Sequence, residues 1–319
     1  MTDSNNKRGA RLVTVDEESA GRRLDNFLMT ELKGLPRTRI YSMIRKGEVR
    51  VNKGRRKAGN KLSAGDQVRI PPVSLVHAAK QADSGSGAGW IEQRVVHEDD
   101  VLLVLDKPSG LAVHGGSGLS YGAIELLRRA RPDSHFLELV HRLDRDTSGL
   151  LLVAKKRSAL RKLHAAFREG EVDKRYEALL LGSWEGGARK VDMPLAVEHR
   201  RNGERHVRPG ADGKAALTRF IPRDYFQDYV YTDVELFTGR THQIRAHGAA
   251  IGHPVAGDRR YGDEQRDPPT LKRLFLHAAE LSFMHPTTET KVRYRAPLDP
   301  ALKSVLEELR YQSCFFSLY

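Results

Sequence analysis

His141-Arg142-Leu143-Asp144-Arg145-Asp146-Thr147-Ser148-Gly149 runs without a break into Leu150-Leu151-Leu152-Val153-Ala154-Lys155-Lys156. The second half is a short apolar run of strand character, whereas the first puts one His, two Arg and two Asp into six positions. Charges that dense beside a core strand must be paired or used, because burial without a partner is costly. The loop is therefore a candidate active site, and its partners must come from elsewhere in the chain.

With 319 residues the chain has room for two domains, and 39 % hydrophobic residues suffice for a real core. Its formal net charge of +13 points to a polyanionic partner. That charge is concentrated. Between Pro36 and Lys61 ten basic residues (Arg37, Arg39, Arg45, Lys46, Arg50, Lys53, Arg55, Arg56, Lys57, Lys61) face one acid, Glu48. Such a block reads as a phosphate-contacting surface. The single Cys314 excludes an internal disulfide framework and a Cys-based metal site. No run of about 18 apolar residues is present, and the start lacks a signal-peptide core, so a cytoplasmic protein is expected.

Residues 1–20 read as a flexible N-terminus. From Gly21 the pattern tightens. Arg23–Leu28 and Thr38–Lys46 read as helices with Leu24, Phe27, Leu28 and Ile40, Met43, Ile44 inward, and Gly47 stops the second. Glu48–Asn52 and Asp66–Pro71 read as short strands. Residues 73–89, rich in Gly, Ser and Ala, form a linker. Beyond Trp90, strands are expected at Val101–Leu105, Leu150–Ala154, Arg175–Leu181, Ala215–Pro222, Tyr229–Phe237, Leu281–Met284 and Lys291–Arg295. Helices are expected at Gly122–Arg131 and Ser158–Glu169, the latter closed by Gly170. Strands outnumber helices without regular alternation, which fits an α+β domain over residues 90–319 with a mixed, largely antiparallel sheet.

Several chemistries find no support. Gly116-Ser117-Gly118-Leu119-Ser120-Tyr121 ends in Tyr where a dinucleotide fingerprint needs Gly, no Walker-type phosphate loop exists, and His242 and His247 are badly spaced for zinc. A cofactor-free, metal-free reaction is expected. Besides the opening loop, two segments combine charge with strand ends: Lys174-Arg175-Tyr176-Glu177-Ala178-Leu179-Leu180-Leu181-Gly182 and Leu236-Phe237-Thr238-Gly239-Arg240-Thr241-His242-Gln243-Ile244-Arg245.

Two resemblances follow. Arg23-Leu24-Asp25, Arg37, Ile44–Asn52 and Gly65-Asp66 resemble an S4-type RNA-binding domain, over residues 21–72. The His-Arg-Leu-Asp-x-x-Thr-Ser-Gly loop, the two segments above, Gly257-Asp258-x-x-Tyr261-Gly262 and Leu276-His277-Ala278 resemble the pseudouridine synthases that join their core to an S4 domain.

The resemblance implies an isomerase acting on large-subunit (23S) ribosomal RNA, monomeric, needing neither membrane, DNA nor cofactor. It makes Asp144 the catalytic carboxylate and Arg245 the cation that keeps it ionised. Tyr176 would stack on the extruded base and Arg142 would enter the RNA stack in its place. Ile244 and Leu276 would line the base pocket. His141 and Thr147 would shape the loop, while Lys107 and Arg240 are candidates for phosphate contact. Gly248 interrupts the expected helix after His247, at a cost of about 1 kcal/mol.

A non-catalytic S4-domain RNA-binding or ribosome-assembly factor is the alternative, although a pure binder has no need of Asp144, Tyr176 and Arg245 together. A glycoside hydrolase built on Asp144 and Asp146 fits poorly, since such carboxylates flank a sugar about 5–10 Å apart.

Overall fold

The computed structural model describes residues 10–32, 35, 37–72, 88–115, 121–199 and 205–316. The chain divides into two compact units, residues 1–84 and 85–319.

In the first unit, strands β1 (Arg11–Thr14), β2 (Arg50–Val51) and β3 (Gln67–Ile70) form an antiparallel sheet in the order β1-β3-β2, beside helices α1 (Leu24–Glu31) and α2 (Arg37–Lys46). One core holds the apolar faces of both helices with Val51, Val68 and Ile70. Gly47 takes φ +70°, as a helix-terminating glycine should. Buried Asp25 ties this unit together, accepting from Arg23 at 2.7 Å and from the Tyr41 hydroxyl at 2.9 Å.

The expectation of a flexible N-terminus over residues 1–20 needs correction from Arg11 on, residues 1–9 lying outside the described residues. Arg11–Thr14 is a paired strand with Val13 opposite Val68, Val15 is buried, and the Asp16 side chain caps a turn at Glu17–Ser19. An edge strand of four residues with Leu12 in solvent leaves little periodicity to read. Residues 73–87 of the expected linker lie outside the described residues.

The second unit contains β4 (Val95–Glu98), β5 (Leu102–Lys107), α3 (Ala123–Ala130), β6 (Glu138–Leu139), β7 (Ser148–Ala154), α4 (Arg157–Glu169) and β8 (Asp173–Leu181). It continues through β9 (Arg189–Asp192), β10 (Leu195–His199), β11 (Arg205–Pro209), β12 (Leu217–Tyr225), β13 (Tyr229–Leu236) and α5 (Gln243–Ala250). β14 (Leu276–Met284), β15 (Lys291–Arg295) and α6 (Pro300–Phe316) complete it. A ten-stranded sheet runs β4-β5-β7-β14-β8-β13-β12-β9, with β6 on β7 and β15 on β14. Only the β7–β14 pairing is parallel among the pairs described in this sheet, so the α+β, largely antiparallel reading holds.

β7 is buried throughout, and its run from Leu150 to Ala154 is apolar because both faces are covered. Leu151 and Val153 enter a core with Leu103, Leu105 and α3, while Leu150, Leu152 and Ala154 enter one with Leu102, Val104 and α4. α6 carries Leu302, Val305, Leu306 and Leu309 at helical spacing and buries them against Leu179, Leu181, Tyr231 and Phe275.

Two glycines are there for space. Gly149 has φ +105°, and a Cβ there would run into the Ala278 carbonyl where β7 meets β14. A Cβ at Gly248, inside α5, would lie 2.8 Å from the His253 carbonyl oxygen. The apparent flaw in that helix is thus a close backbone approach.

Candidate active site

The charged loop lies between β6 and β7 and is fastened from both sides. His141 is stacked on Phe167, and its Nε2 accepts from the Leu152 N–H at 3.0 Å. Burial pushes its pKa down to about 4, so the ring is neutral and serves as an acceptor. Thr147 N–H donates to the Asp144 carbonyl at 3.2 Å, and Ser109 Oγ donates to the Asp146 carbonyl at 2.7 Å.

Lys107 does not contact phosphate. It is fully buried, and its Nζ donates to the carbonyls of Pro108, Leu111 and Arg145 at 2.9, 2.9 and 3.0 Å. It therefore ties the end of β5 to the loop, and burial lowers its pKa to about 7.

Opposite the loop, α5 begins at His242, itself in the left-handed region (φ 51°, ψ 23°). The preceding turn is organised by buried Gln243. Its Oε1 accepts from Thr238 Oγ1 and Arg240 N–H, and its Nε2 donates to Leu217 O and Thr218 Oγ1. His247 is likewise occupied in the core, by Thr218 Oγ1 and Met193 O at 2.9 Å each.

Arg245 is buried on the first turn of α5, where a helix disfavours positive charge. Its guanidinium is held by two carboxylates. Nε and Nη2 donate to Asp258 at 2.7 and 2.8 Å, and Nη1 donates to Asp144 Oδ2 at 3.1 Å. Burial opposes the charged form of Arg245, but the hydrogen bonds and charge of Asp258, with Asp144 beside it, raise its pKa and keep it cationic. Burial likewise opposes ionised Asp258. The Arg245 bonds and the backbone N–H groups of Arg260 and Tyr261 outweigh that and lower its pKa. Tyr261 adds its ring 5.2 Å from the guanidinium and places its hydroxyl 2.9 Å from His242 Nδ1. His242 Nε2 stands 3.8 Å from Asp144 Oδ2.

Asp144 thus sits in a cavity of about 620 Å³ that also presents Arg142, Tyr176, Ile244, Arg245 and Leu276. Six residues from four stretches of sequence converge on it. Tyr176, Ile244 and Leu276 are buried and form its apolar wall. Burial and the Asp144 charge both push the Tyr176 phenol up, so it is protonated at neutral pH. Arg142 is exposed and donates to Thr241 Oγ1 at 2.5 Å rather than pairing with Asp144 or Asp146. Arg240, also on the cavity wall, uses its Nε on the Ala215 carbonyl at 3.0 Å.

Asp258, Tyr261 and His242 were given no role from sequence. Asp258 and Tyr261 stand in the Gly-Asp-x-x-Tyr-Gly stretch, but nothing local shows that they reach Arg245.

In the first unit, Arg45, Lys46, Lys53, Arg55, Arg56 and Lys57 are exposed and Arg50 is half-buried. Arg39 pairs with Glu48 at 3.0 Å, and the Arg37 side chain lies outside the described residues. Among the described residues no group of three or more His, Cys, Asp or Glu is placed to hold a metal, and no helix is long and apolar enough to cross a membrane.

A family model described as RNA pseudouridylate synthase matches residues 101–250, and one described as S4 domain matches residues 22–68. Over 308 residues the chain is 50 % identical to the ribosomal large subunit pseudouridine synthase C of Pasteurella multocida, covering 95 % of this chain and 94 % of that one. It is 51 % identical to the protein of that name from Salmonella typhimurium, covering 94 % and 97 %. Among solved structures, human RNA pseudouridylate synthase domain containing 4 is 25 % identical with a TM-score of 0.59, over 70 % of this chain and 95 % of that one. A buried arginine shared between two carboxylates, in a cavity walled by a tyrosine and two aliphatic side chains, is thus found on the fold these matches indicate. The chain belongs to the RNA pseudouridylate synthase family, among the members that carry an S4 domain.

Proposed function

We propose that this protein converts uridines of large-subunit ribosomal RNA to pseudouridine, working in the cytoplasm, with Asp144 as the reacting carboxylate. The observation that carries this reading is the Arg245 guanidinium divided between Asp258 and Asp144. Asp258 fills two of its donors and fixes its plane, so the remaining edge holds the Asp144 carboxylate in place at the cavity.

The reaction breaks the C1′–N1 glycosidic bond, rotates the uracil and forms C1′–C5. The C5 proton is lost and N1 gains one, so no external reductant or oxidant is needed. An ionised carboxylate acts either as nucleophile or as the base that begins glycal formation, and both need it close to the sugar and shielded from water. The Tyr176 ring, protonated, offers a stacking face to the base, with Ile244 and Leu276 completing an apolar slot that holds the detached uracil. Such a slot serves a base only after extrusion from the RNA, and exposed Arg142 at its rim is suited to occupy the vacated space. The exposed bases of the first unit, foremost Arg45, Lys46, Lys53, Arg55, Arg56 and Lys57, supply sequence-independent grip on phosphates.

The test is genetic and chemical. Ribosomal RNA from a strain lacking the protein should lose pseudouridines, read by carbodiimide labelling and primer extension. Expression of the wild-type chain should restore them and Asp144→Asn should not. Restoration by Asp144→Asn would overturn the catalytic assignment and favour the alternative of a non-catalytic assembly factor.

A further inference from the structure

Two lysines of the catalytic unit are buried, and they are satisfied in opposite ways. Lys107 gives its three protons to three backbone carbonyls. Lys174 is only 8 % exposed, yet among the described residues its ammonium makes no hydrogen bond and no ion pair. The Phe167 ring lies against it, with Nζ 5.8 Å from the centroid. Asp173, the acid next to it in sequence, is exposed and paired with Lys291 at 3.1 Å. The stem of the side chain is withdrawn from water while the ammonium opens only onto the cavity, and burial accordingly lowers the Lys174 pKa against the nearby charge of Asp173.

Its position gives that cost a use. Strand alternation in β8 puts Lys174 on the same face as Tyr176, about 7 Å further along. Both line the cavity that holds Asp144. Lys174 also lines an adjoining hollow of about 640 Å³, which shares Gly170, Leu236 and Phe237 with the first. It therefore stands where a polymer whose base occupied the cavity would continue beyond it. A neutral carbonyl does not balance a desolvated charge, but an anion does, and a compact ammonium suits a phosphate oxygen.

We propose that Lys174 is a substrate-contacting residue, held for a phosphate of the RNA strand adjoining the nucleotide that enters the cavity. This assignment rests on the RNA-modifying reading above. The full chain is tested in single-turnover reactions, with excess enzyme, on large-subunit ribosomal RNA carrying tritium at uridine C5, across a series of salt concentrations. Tritium release by the wild type checks the underlying function, and its absence overturns function and assignment together.

Given release, Lys174→Met should raise the half-saturating enzyme concentration and leave the saturating rate unchanged. The slope of its logarithm against log salt should fall by about 0.7, one single-strand phosphate contact. Lys174→Arg should restore the slope. Because Met removes a charge that the free protein leaves unpaired, Lys174→Met should also melt higher than wild type. Unchanged half-saturation and slope would refute the assignment. So would a reduced saturating rate at unchanged slope, which would put the ammonium on the base, or a lowered melting temperature at unchanged RNA affinity, which would make Lys174 structural.

Discussion

Asp258→Asn keeps the shape of the side chain and removes its charge. The Asp258 side chain is fully buried and makes two bonds to Arg245, besides accepting from the backbone N–H groups of Arg260 and Tyr261. The asparagine oxygen can still serve the backbone donors and Arg245 Nη2, which all meet Oδ1, so the loss falls on the bond from Arg245 Nε to Oδ2. Loss of that one charge-assisted hydrogen bond gives a destabilisation of about 1.5–3 kcal/mol. At about 2–4 °C per kcal/mol for a unit of this size, the melting temperature should fall by about 3–12 °C at pH 7.

The pH dependence has a fixed sign. The folded Asp258 pKa lies below its unfolded value, so its contribution is complete above about pH 4 and disappears as pH falls through the folded pKa. Calorimetry of wild type and variant should therefore show a gap that narrows on acidification. Single-turnover tritium release should fall by about 10²-fold, because Arg245 no longer fixes Asp144. Equal melting temperatures at pH 7, or a gap that widens toward acid, would refute the account of Arg245 as a cation positioned by Asp258.

Two further outcomes follow from buried contacts. The Lys107 pKa of about 7 lies below that of an unfolded lysine, so between about pH 7 and 10 the unfolded chain binds the extra proton and stability rises with pH. Melting of Lys107→Met across that range should lack this rise, and a slope equal to that of the wild type would contradict it. In Gly248→Ala the new methyl would press on the His253 carbonyl, so the variant should lose about 1–3 kcal/mol despite its better helix propensity, measured by urea denaturation.

The strands flanking the site were legible because continuous apolar runs bounded by charge and glycine leave few other readings. β7, buried on both faces, is the clearest. The convergence of Asp144, Tyr176 and Arg245 was legible only through a family resemblance, since residues 101 apart carry no local sign of a 3.1 Å contact. Asp258 escaped a role for the same reason. The error over Lys107 has a different origin: a basic residue before Pro-Ser-Gly looks solvated, and only the path of the loop supplies three carbonyls around it. β1 and α6 went unassigned, the first because four edge residues hold little periodicity, the second because its apolar stripe sits in an acidic and basic background without a glycine or proline stop.

β14 lies between β7 and β8 in the sheet although it follows both in the chain by roughly a hundred residues or more. Asp144 belongs to the β7 side of that seam and Tyr176 to the β8 side. During synthesis, the strands and helices described for the first unit are complete once residue 70 is available, and it can close around its own core while the remainder is still being made. The cavity around Asp144 cannot. Its two walls remain separate half-sheets until residues 276–284 emerge and bridge them, so the capacity to hold RNA precedes the capacity to alter it.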